Sequence, residues 1–217
     1  MAAYAGMIAE SVISLTGRTD LKVTQAIWSM LNMVVREIQA KRDWPQDLFE
    51  AVLPPYPDFQ TTREIQLPRL DMWDWSKPEW PDFRPPLMGS TIRKIEYLIV
   101  GDQPALEQIR ASDALIGTCQ RQGVYYKKAQ NFLVINAFQP WDTLRLGIYV
   151  MPGLFTAQNN TYDEYWLFEE AYEVVFAGCA YAAYKASGDD SSTQIWWSDY
   201  QQKLAAWIAS RVDSDMV

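Results

Sequence analysis

Apolar residues recur every three or four positions near the start of the chain, which predicts two amphipathic helices. The first should begin at Tyr4 and end at Gly17, and Thr19 or Asp20 can cap the second. Because Pro45 disfavours continuation, the second helix should span about 24 residues. Its predicted buried stripe comprises Val23, Ile27, Leu31, Val34, Val35 and Ile38.

Alternating residues in the middle of the chain predict a mainly antiparallel β region. The predicted strands cover residues 62–67, 91–100, 124–127, 132–137 and 144–150, of which the third and fourth form a hairpin. Alternation places Ile95, Tyr97 and Ile99 on one face of the second of these strands. Leu98 and Val100 are predicted to lie on its opposite face.

Two capping-box sequences predict two further helices towards the C-terminus. The first box, Thr161–Glu164, should begin a helix that runs to about Ser187 and stops at Gly188. The second box, Ser191–Gln194, should begin a helix with apolar positions from Ile195 to Val212.

Two helices, a β region and two helices define an α+β fold. We expect residues 1–53 and 161–217 to form a four-helix bundle from the N- and C-terminal helix pairs, with residues 54–160 inserted as an antiparallel sheet or β-sandwich layer. The inserted region contains a proline- and tryptophan-rich loop at 68–88. Irregular loops of this length usually serve a function or an interface.

The composition excludes several classes of active site and metal site, because the chain has no histidine. Ser-His-Asp and Cys-His pairs and the common zinc sites are therefore excluded. Cys119 and Cys179 form no CxxC motif and are expected to be free buried thiols, with one disulfide as the alternative. No cofactor, metal, signal peptide or membrane span is predicted. We expect a non-enzymatic, soluble protein made in the cytoplasm.

The net charge of −8 is concentrated near the C-terminus, where residues 161–217 hold 3 basic and 10 acidic side chains. Such acidity opposes tight binding of nucleic acid through its phosphates, but it suits a surface past which DNA slides. Glu169, Glu170 and Glu173 lie within about one helical turn. A hydrolase or a metal centre needs carboxylates from different elements, so we interpret these as one exposed acidic face.

Tryptophans are the second candidate functional set. Trp73, Trp75 and Trp80 share the 68–88 loop, where they could stack on sugar rings or anchor an interface with another subunit. Trp196 and Trp197 are adjacent and point about 100° apart on a helix. One of them should be exposed unless another chain covers it, which favours an oligomer.

Several short motifs follow one another in a fixed order between residues 20 and 208. They are Leu31–Trp44 (LN…R-x-I-x-x…W), Glu64–Pro68, Ile92–Ile95, Thr143–Pro152 and the small-residue helix Glu169–Ser187. This order of elements resembles the bacteriophage head-to-tail adaptor family, also described as connector or tail tubular protein A-like. The loop at 68–88 looks like an insertion relative to the family pattern.

The resemblance implies a structural virion protein at the head-tail junction and no enzymatic activity. Family members form homo-oligomeric rings, expected here to be twelvefold, that dock beneath the portal protein and contact a tail or nozzle protein. Double-stranded DNA passes through such a ring during genome ejection without specific binding, and no membrane is involved. We expect Glu169, Glu170 and Glu173 to face this channel, and the tryptophans to lie at interfaces.

Two alternatives remain open. One is a carbohydrate-binding or carboxylate-based hydrolase domain that uses the Trp73–Trp80 loop with Asp71 or Asp74. The other is a neck or tail-completion protein of a long-tailed phage, which shares the chemistry and differs in its partner.

Overall fold

A computed structural model describes residues 3–53, 60–67, 90–115, 121–129 and 132–214. These residues form a mixed α+β fold with six α-helices and two mainly antiparallel sheets, which confirms the predicted class. In chain order the elements are α1 (Ala5–Thr16), α2 (Leu21–Lys41), a 3-10 turn (Pro45–Asp47), β1 (Leu48–Leu53), β2 (Gln60–Gln66), β3 (Thr91–Val100), β4 (Glu107–Gln108), α3 (Ala111–Leu115), β5 (Val124–Ala129), β6 (Phe132–Trp141), β7 (Leu144–Met151), α4 (Trp166–Glu170), α5 (Tyr172–Ser187) and α6 (Asp190–Ser214).

The chain divides into two compact units. The helical unit comprises Met1–Asp43 and Leu154–Val217, and the β unit comprises Trp44–Gly153. The expected boundary after residue 53 differs from the observed one because residues 48–53 form β1, which pairs with β7. The chain returns to the helical unit at Leu154, which is earlier than the predicted residue 161.

The first two helices begin and end as their sequences predict. Gly17 adopts a left-handed φ of 63° and its N–H donates to the Ile13 carbonyl at 2.9 Å, which ends α1. The Asp20 carboxylate accepts a hydrogen bond from the Val23 N–H at 3.1 Å and caps α2. All six residues of the predicted stripe are buried, and α2 is 21 residues long because Arg42 is extended.

The predicted helix start at Thr161 is wrong. The Thr161 hydroxyl donates to the Thr156 carbonyl at 2.7 Å instead of capping a helix, and the Thr161 carbonyl accepts from the Gly6 N–H at 2.8 Å. The helix begins at Trp166 and is interrupted at Ala171, where φ is −120° and ψ is 27°. It therefore consists of the short α4 and the longer α5.

The cap of α6 also differs from the prediction, since Asp189 occupies this position ahead of the serines. Its carboxylate accepts hydrogen bonds from the Ser192 N–H at 3.1 Å and from the hydroxyls of Ser191 and Ser192. These bonds, led by the one from the backbone N–H, lower the pKa of Asp189. A carboxylate is also favoured here by the helix dipole.

Helix α5 is the central element of the helical unit and contacts α1, α2 and α6. Its buried face is built largely from small residues: Ala177, Gly178, Cys179, Ala180 and Ala183. A Cβ atom on Gly178 would lie 2.9 Å from Val34 Cγ2 and 3.2 Å from Tyr200 Cδ2, so the approach of α2 and α6 requires glycine. Cys179 is a free buried thiol, as predicted, and burial raises its pKa.

Asn32 on α2 fixes the segment that returns from the β unit. Its side-chain amide donates to the Phe155 carbonyl at 2.8 Å and accepts from the Phe155 N–H at 2.9 Å. It also donates to the Trp28 carbonyl at 2.8 Å. The Phe155 ring is fully buried, with its centroid 4.8 Å from that of Phe168. The amide therefore satisfies both backbone groups of a buried residue, as a neighbouring strand would.

The β unit has one continuous hydrophobic core to which both sheets contribute. The strand orders are β1-β7-β3 and β2-β6-β5-β4, and all pairs are antiparallel except β4 with β5. The predicted hairpin is the β5–β6 pair. Strand β1 was not predicted from the sequence, because its six residues form only a short run between a helix and a proline-rich segment.

Irregular pairing of β3 with β7 changes the predicted faces of β3. The register shifts twice, once between Ile92 and Lys94 and again between Ile95 and Tyr97. A bulge breaks the two-residue alternation, so Ile95 joins the core with Leu98 and Val100. The predicted grouping of Ile95 with Tyr97 and Ile99 is therefore wrong.

Substitution of Asn32 tests the contact with Phe155. We expect Asn32→Ala to lower the free energy of unfolding by about 2–4 kcal/mol, because two buried backbone groups lose their partner. Urea unfolding followed by circular dichroism measures the change. Asn159→Ala, at an exposed position nearby, is the control and should change stability by less than about 0.5 kcal/mol. Equal effects of both variants would contradict this role for Asn32.

The cap of α6 predicts a pH-dependent difference in stability. At pH 7, Asp189→Ala should lower Tm by roughly 2–4 °C, whereas Asp189→Asn, which can still cap, should lower it less. Because the folded pKa of Asp189 is depressed, its ionised form stabilises the fold above the unfolded pKa, and this contribution is lost as pH falls through the folded pKa. The gap between wild type and Asp189→Ala should therefore narrow in acid. A gap that is constant from pH 7 to pH 3 would contradict the prediction.

Candidate assembly surfaces

The outward side of α6 is an exposed helical surface without charged residues. We define the α6 outer face by eight exposed residues: Gln194, Ile195, Ser198, Gln201, Gln202, Ala205, Ala206 and Ala209. Between Ser191 and Ser210 the helix carries charge only at Asp199 and Lys203. Only Tyr200 and Leu204 are buried in this stretch, and the eight residues of the outer face are all exposed.

The two charges beside this face neutralise each other. Lys203 Nζ lies 3.1 Å from an Asp199 carboxylate oxygen and 2.9 Å from one of Glu173 on α5. Burial opposes the charge of Lys203, but the hydrogen bonds to Glu173 and Asp199 outweigh it and raise the pKa of the ammonium group. The ion pairs hold α6 against α5. The charges of Asp199 and Lys203 on α6 sum to zero, and Glu173 contributes one negative charge from α5.

Trp196 and Trp197 both contact aromatic residues of their own chain. Trp196 is half-buried, and its ring centroid lies 5.8 Å from that of Phe176 in an edge-to-face arrangement. Trp197 is 43% exposed, with its ring centroid 4.7 Å from that of Tyr181. The expectation that one of the two adjacent tryptophans is exposed in the single chain is thus confirmed for Trp197, whereas Trp196 packs within its own chain. For Trp197, whose outer edge is open, cover by another subunit stays a prediction.

The predicted acidic face does not consist of three equivalent carboxylates. Glu169 is exposed and forms no ion pair with a described residue. Glu170 is half-buried and lies 2.6 Å from Arg211, while its carbonyl accepts a hydrogen bond from Trp207 Nε1 at 2.9 Å. Glu173 binds Lys203, as described above. Two of the three therefore connect α4 and α5 to α6. The orientation of all three glutamates towards a channel stays a prediction.

A groove in the β unit brings together two cations that sequence analysis did not single out as a pair. Gln108, Ile109, Arg110, Ala111 and Lys127 line this basic groove, which encloses about 490 Å³. Arg110 and Lys127 are exposed and make no ion pair within the described ranges. Parallel pairing of β4 with β5 brings them to one groove. The two-residue strand β4 has no periodicity that could have predicted this.

Several other described cations of the β unit are neutralised. Arg121 pairs with Glu107, and Lys128 pairs with Glu64, whose hydrogen bond raises the pKa of the lysine. Lys94 pairs with Glu96 at 2.8 Å. The unpaired charge of the basic groove is therefore a local feature.

A second groove of the β unit is open and encloses about 550 Å³. Asp102 and Asp142 line it, but the Gln103 side chain is bonded to the backbone of Phe138 and Gln139. Trp141 is 1% exposed and its ring is not available for stacking on a ligand. Among the described residues no group of three metal-ligating side chains occurs.

The proline- and tryptophan-rich loop lies outside the described residues, as does Cys119. The predictions for Trp73, Trp75 and Trp80, and for Asp71 and Asp74, are therefore untested by the structure. In the described ranges, no helix combines the length and apolar character needed to cross a membrane. No protein-family model matches the chain, and no curated protein matches its sequence.

The different environments of the three glutamates predict different effects of neutralisation. Glu170→Gln should lower the free energy of unfolding by about 1 kcal/mol, because a half-buried ion pair with Arg211 is broken. Glu169→Gln changes an exposed, unpaired carboxylate and should leave stability within about 0.5 kcal/mol. Urea titrations of both variants measure the difference. Equal losses would contradict the assignment of Glu170 to the α4–α6 contact.

Proposed function

We propose that the protein is a non-enzymatic structural component that assembles with copies of itself into a ring, of the head-to-tail adaptor type. The observation that carries the proposal is the α6 outer face. Its eight residues are exposed in the single chain, and none of them carries a charge.

Charge distribution supports this interpretation of α6. About a fifth of the chain is charged, yet the eight residues of the outer face carry no charge. Charged residues are depleted in the cores of protein interfaces. The three alanines would allow close approach of a second helix, while the amides of glutamine can hydrogen-bond across the contact. A face that only needed to be soluble would be expected to carry lysine or glutamate.

The order of elements supports the adaptor type. We propose that α1, α2, α5 and α6 form a four-helix bundle and that the two sheets form a β-sandwich layer, which is the arrangement that the family resemblance implies. The Asn32 contact gives a physical reason for the Leu31-Asn32 motif, because this amide holds the chain at Phe155, where the helical unit resumes.

In this proposal the ring is a virion component that docks beneath the portal protein and contacts a tail or nozzle protein. Double-stranded DNA passes through it, and the net charge of −8 disfavours retention of the phosphates. A neck or tail-completion protein of a long-tailed phage would share these properties and differ in its partner. The carbohydrate-binding alternative depends on residues outside the described ranges.

Charge introduced into the α6 outer face tests the proposal. Ala205→Glu should place an unpaired carboxylate in the subunit contact. Because burying this charge is unfavourable, the protein concentration needed for assembly should rise about tenfold. Sedimentation velocity over a concentration series measures the shift. The matched control is Ala105→Glu, at an exposed loop position of the β unit. Assembly of Ala205→Glu at the wild-type concentration would exclude this face as the contact.

A further inference from the structure

The basic groove has the properties of a binding site for a short acidic segment. Arg110 and Lys127 are both exposed, both line the groove, and neither is neutralised by a described residue. Gln108 also lines the groove, and its Oε1 accepts a hydrogen bond from the Tyr125 hydroxyl at 3.2 Å. Two cations converge there on a space that a carboxylate-bearing chain can enter, and each offers charge-assisted hydrogen bonds.

The same chain presents a segment with the complementary charge. No lysine or arginine occurs between Arg145 and Lys185, a stretch that contains five acidic residues. Three of these, Asp163, Glu164 and Glu169, are exposed and form no ion pair with a described residue. We call residues 162–169 the acidic segment. It is held in place by the isolated bridge between Glu164 and Tyr4, so its ordering would cost little on binding.

We propose that the acidic segment of one copy docks into the basic groove of a second copy. This inference rests on the proposed function and deepens it by naming a subunit contact. The two surfaces differ, so each copy uses its groove towards one neighbour and its acidic segment towards the other. Contacts of this head-to-tail type generate closed rings when the rotation between subunits closes.

Nucleic acid is the less suitable occupant of the groove. The adjoining cleft is lined by the carboxylates of Glu107 and Asp113 together with the guanidinium groups of Arg110 and Arg121, so it adds no net positive charge to the groove. Binding along DNA needs many cations that together displace counterions, and the groove supplies two. A short peptide with two or three carboxylates matches this number.

Reciprocal charge reversal tests the contact. R110E/K127E makes the groove acidic, and E164K/E169K makes the acidic segment basic. Each variant alone would bring like charges together, so each should assemble at least about tenfold more weakly than wild type. An equimolar mixture restores opposite charges at every contact and should assemble in alternation. Native mass spectrometry measures the oligomers, and the mass difference between the variants identifies alternation.

Controls separate loss of the contact from loss of the fold. R18E/K22E reverses two exposed cations at the start of α2 and should assemble as wild type does. Thermal unfolding by circular dichroism checks each variant, and R110Q/K127Q provides a milder change if the reversal fails to fold.

The outcomes distinguish this contact from the proposed function. If wild type forms rings and R110E/K127E forms them equally well, the groove is not a contact, although the ring proposal stands. A mixture that stays monomeric would also overturn the contact. If R110E/K127E keeps assembly but loses retention of a double-stranded DNA probe, the groove binds phosphate instead. Wild-type protein that is monomeric at all concentrations would overturn both proposals.

Discussion

Close packing around α5 is the constraint on which the helical unit depends. Its buried residues are small, and at Gly178 even a methyl group would collide with Val34 on α2. This brings α6 near enough for the Tyr200 hydroxyl to donate to Glu37 at 2.7 Å and for Trp207 to reach the Glu170 carbonyl. With one side of α6 fixed in this way, the uncharged residues on its other side are directed away from α5. The proposed assembly surface is thus a consequence of how the small-residue helix packs.

Charged side chains that form ion pairs and charged side chains that form none are found in different parts of the described structure. Carboxylates that connect elements, such as Glu170 and Glu173, are paired with cations on α6. Among the described residues, Asp163, Glu164 and Glu169 in residues 162–169 form no ion pair, and neither do Arg110 and Lys127 in the β unit. Opposite unpaired charges on separate surfaces favour contacts between copies, whereas a single unpaired sign would favour repulsion. The net charge of the chain does not by itself reveal where these unpaired charges lie.

Local signals predicted the elements whose determinants are contiguous in sequence. Gly17, Asp20 and the apolar stripe of α2 define two helices without reference to the rest of the chain, and strict alternation identified β7. Predictions failed where tertiary contacts decided the outcome. The Thr161 hydroxyl bonds to Thr156 and not to a helix, and a bulge moves Ile95 to the other side of β3. The basic groove depends on a parallel pairing that no periodic pattern encodes.

The central claim is that this chain assembles with itself into a closed ring. Native mass spectrometry of the purified wild-type protein tests it most directly, because a ring gives one dominant mass at an integer multiple of 25.0 kDa. We expect such a species near the twelvefold multiple, with few open intermediates. A monomer that persists when the protein is concentrated to about 100 μM, well above the range of ordinary specific association, would contradict it.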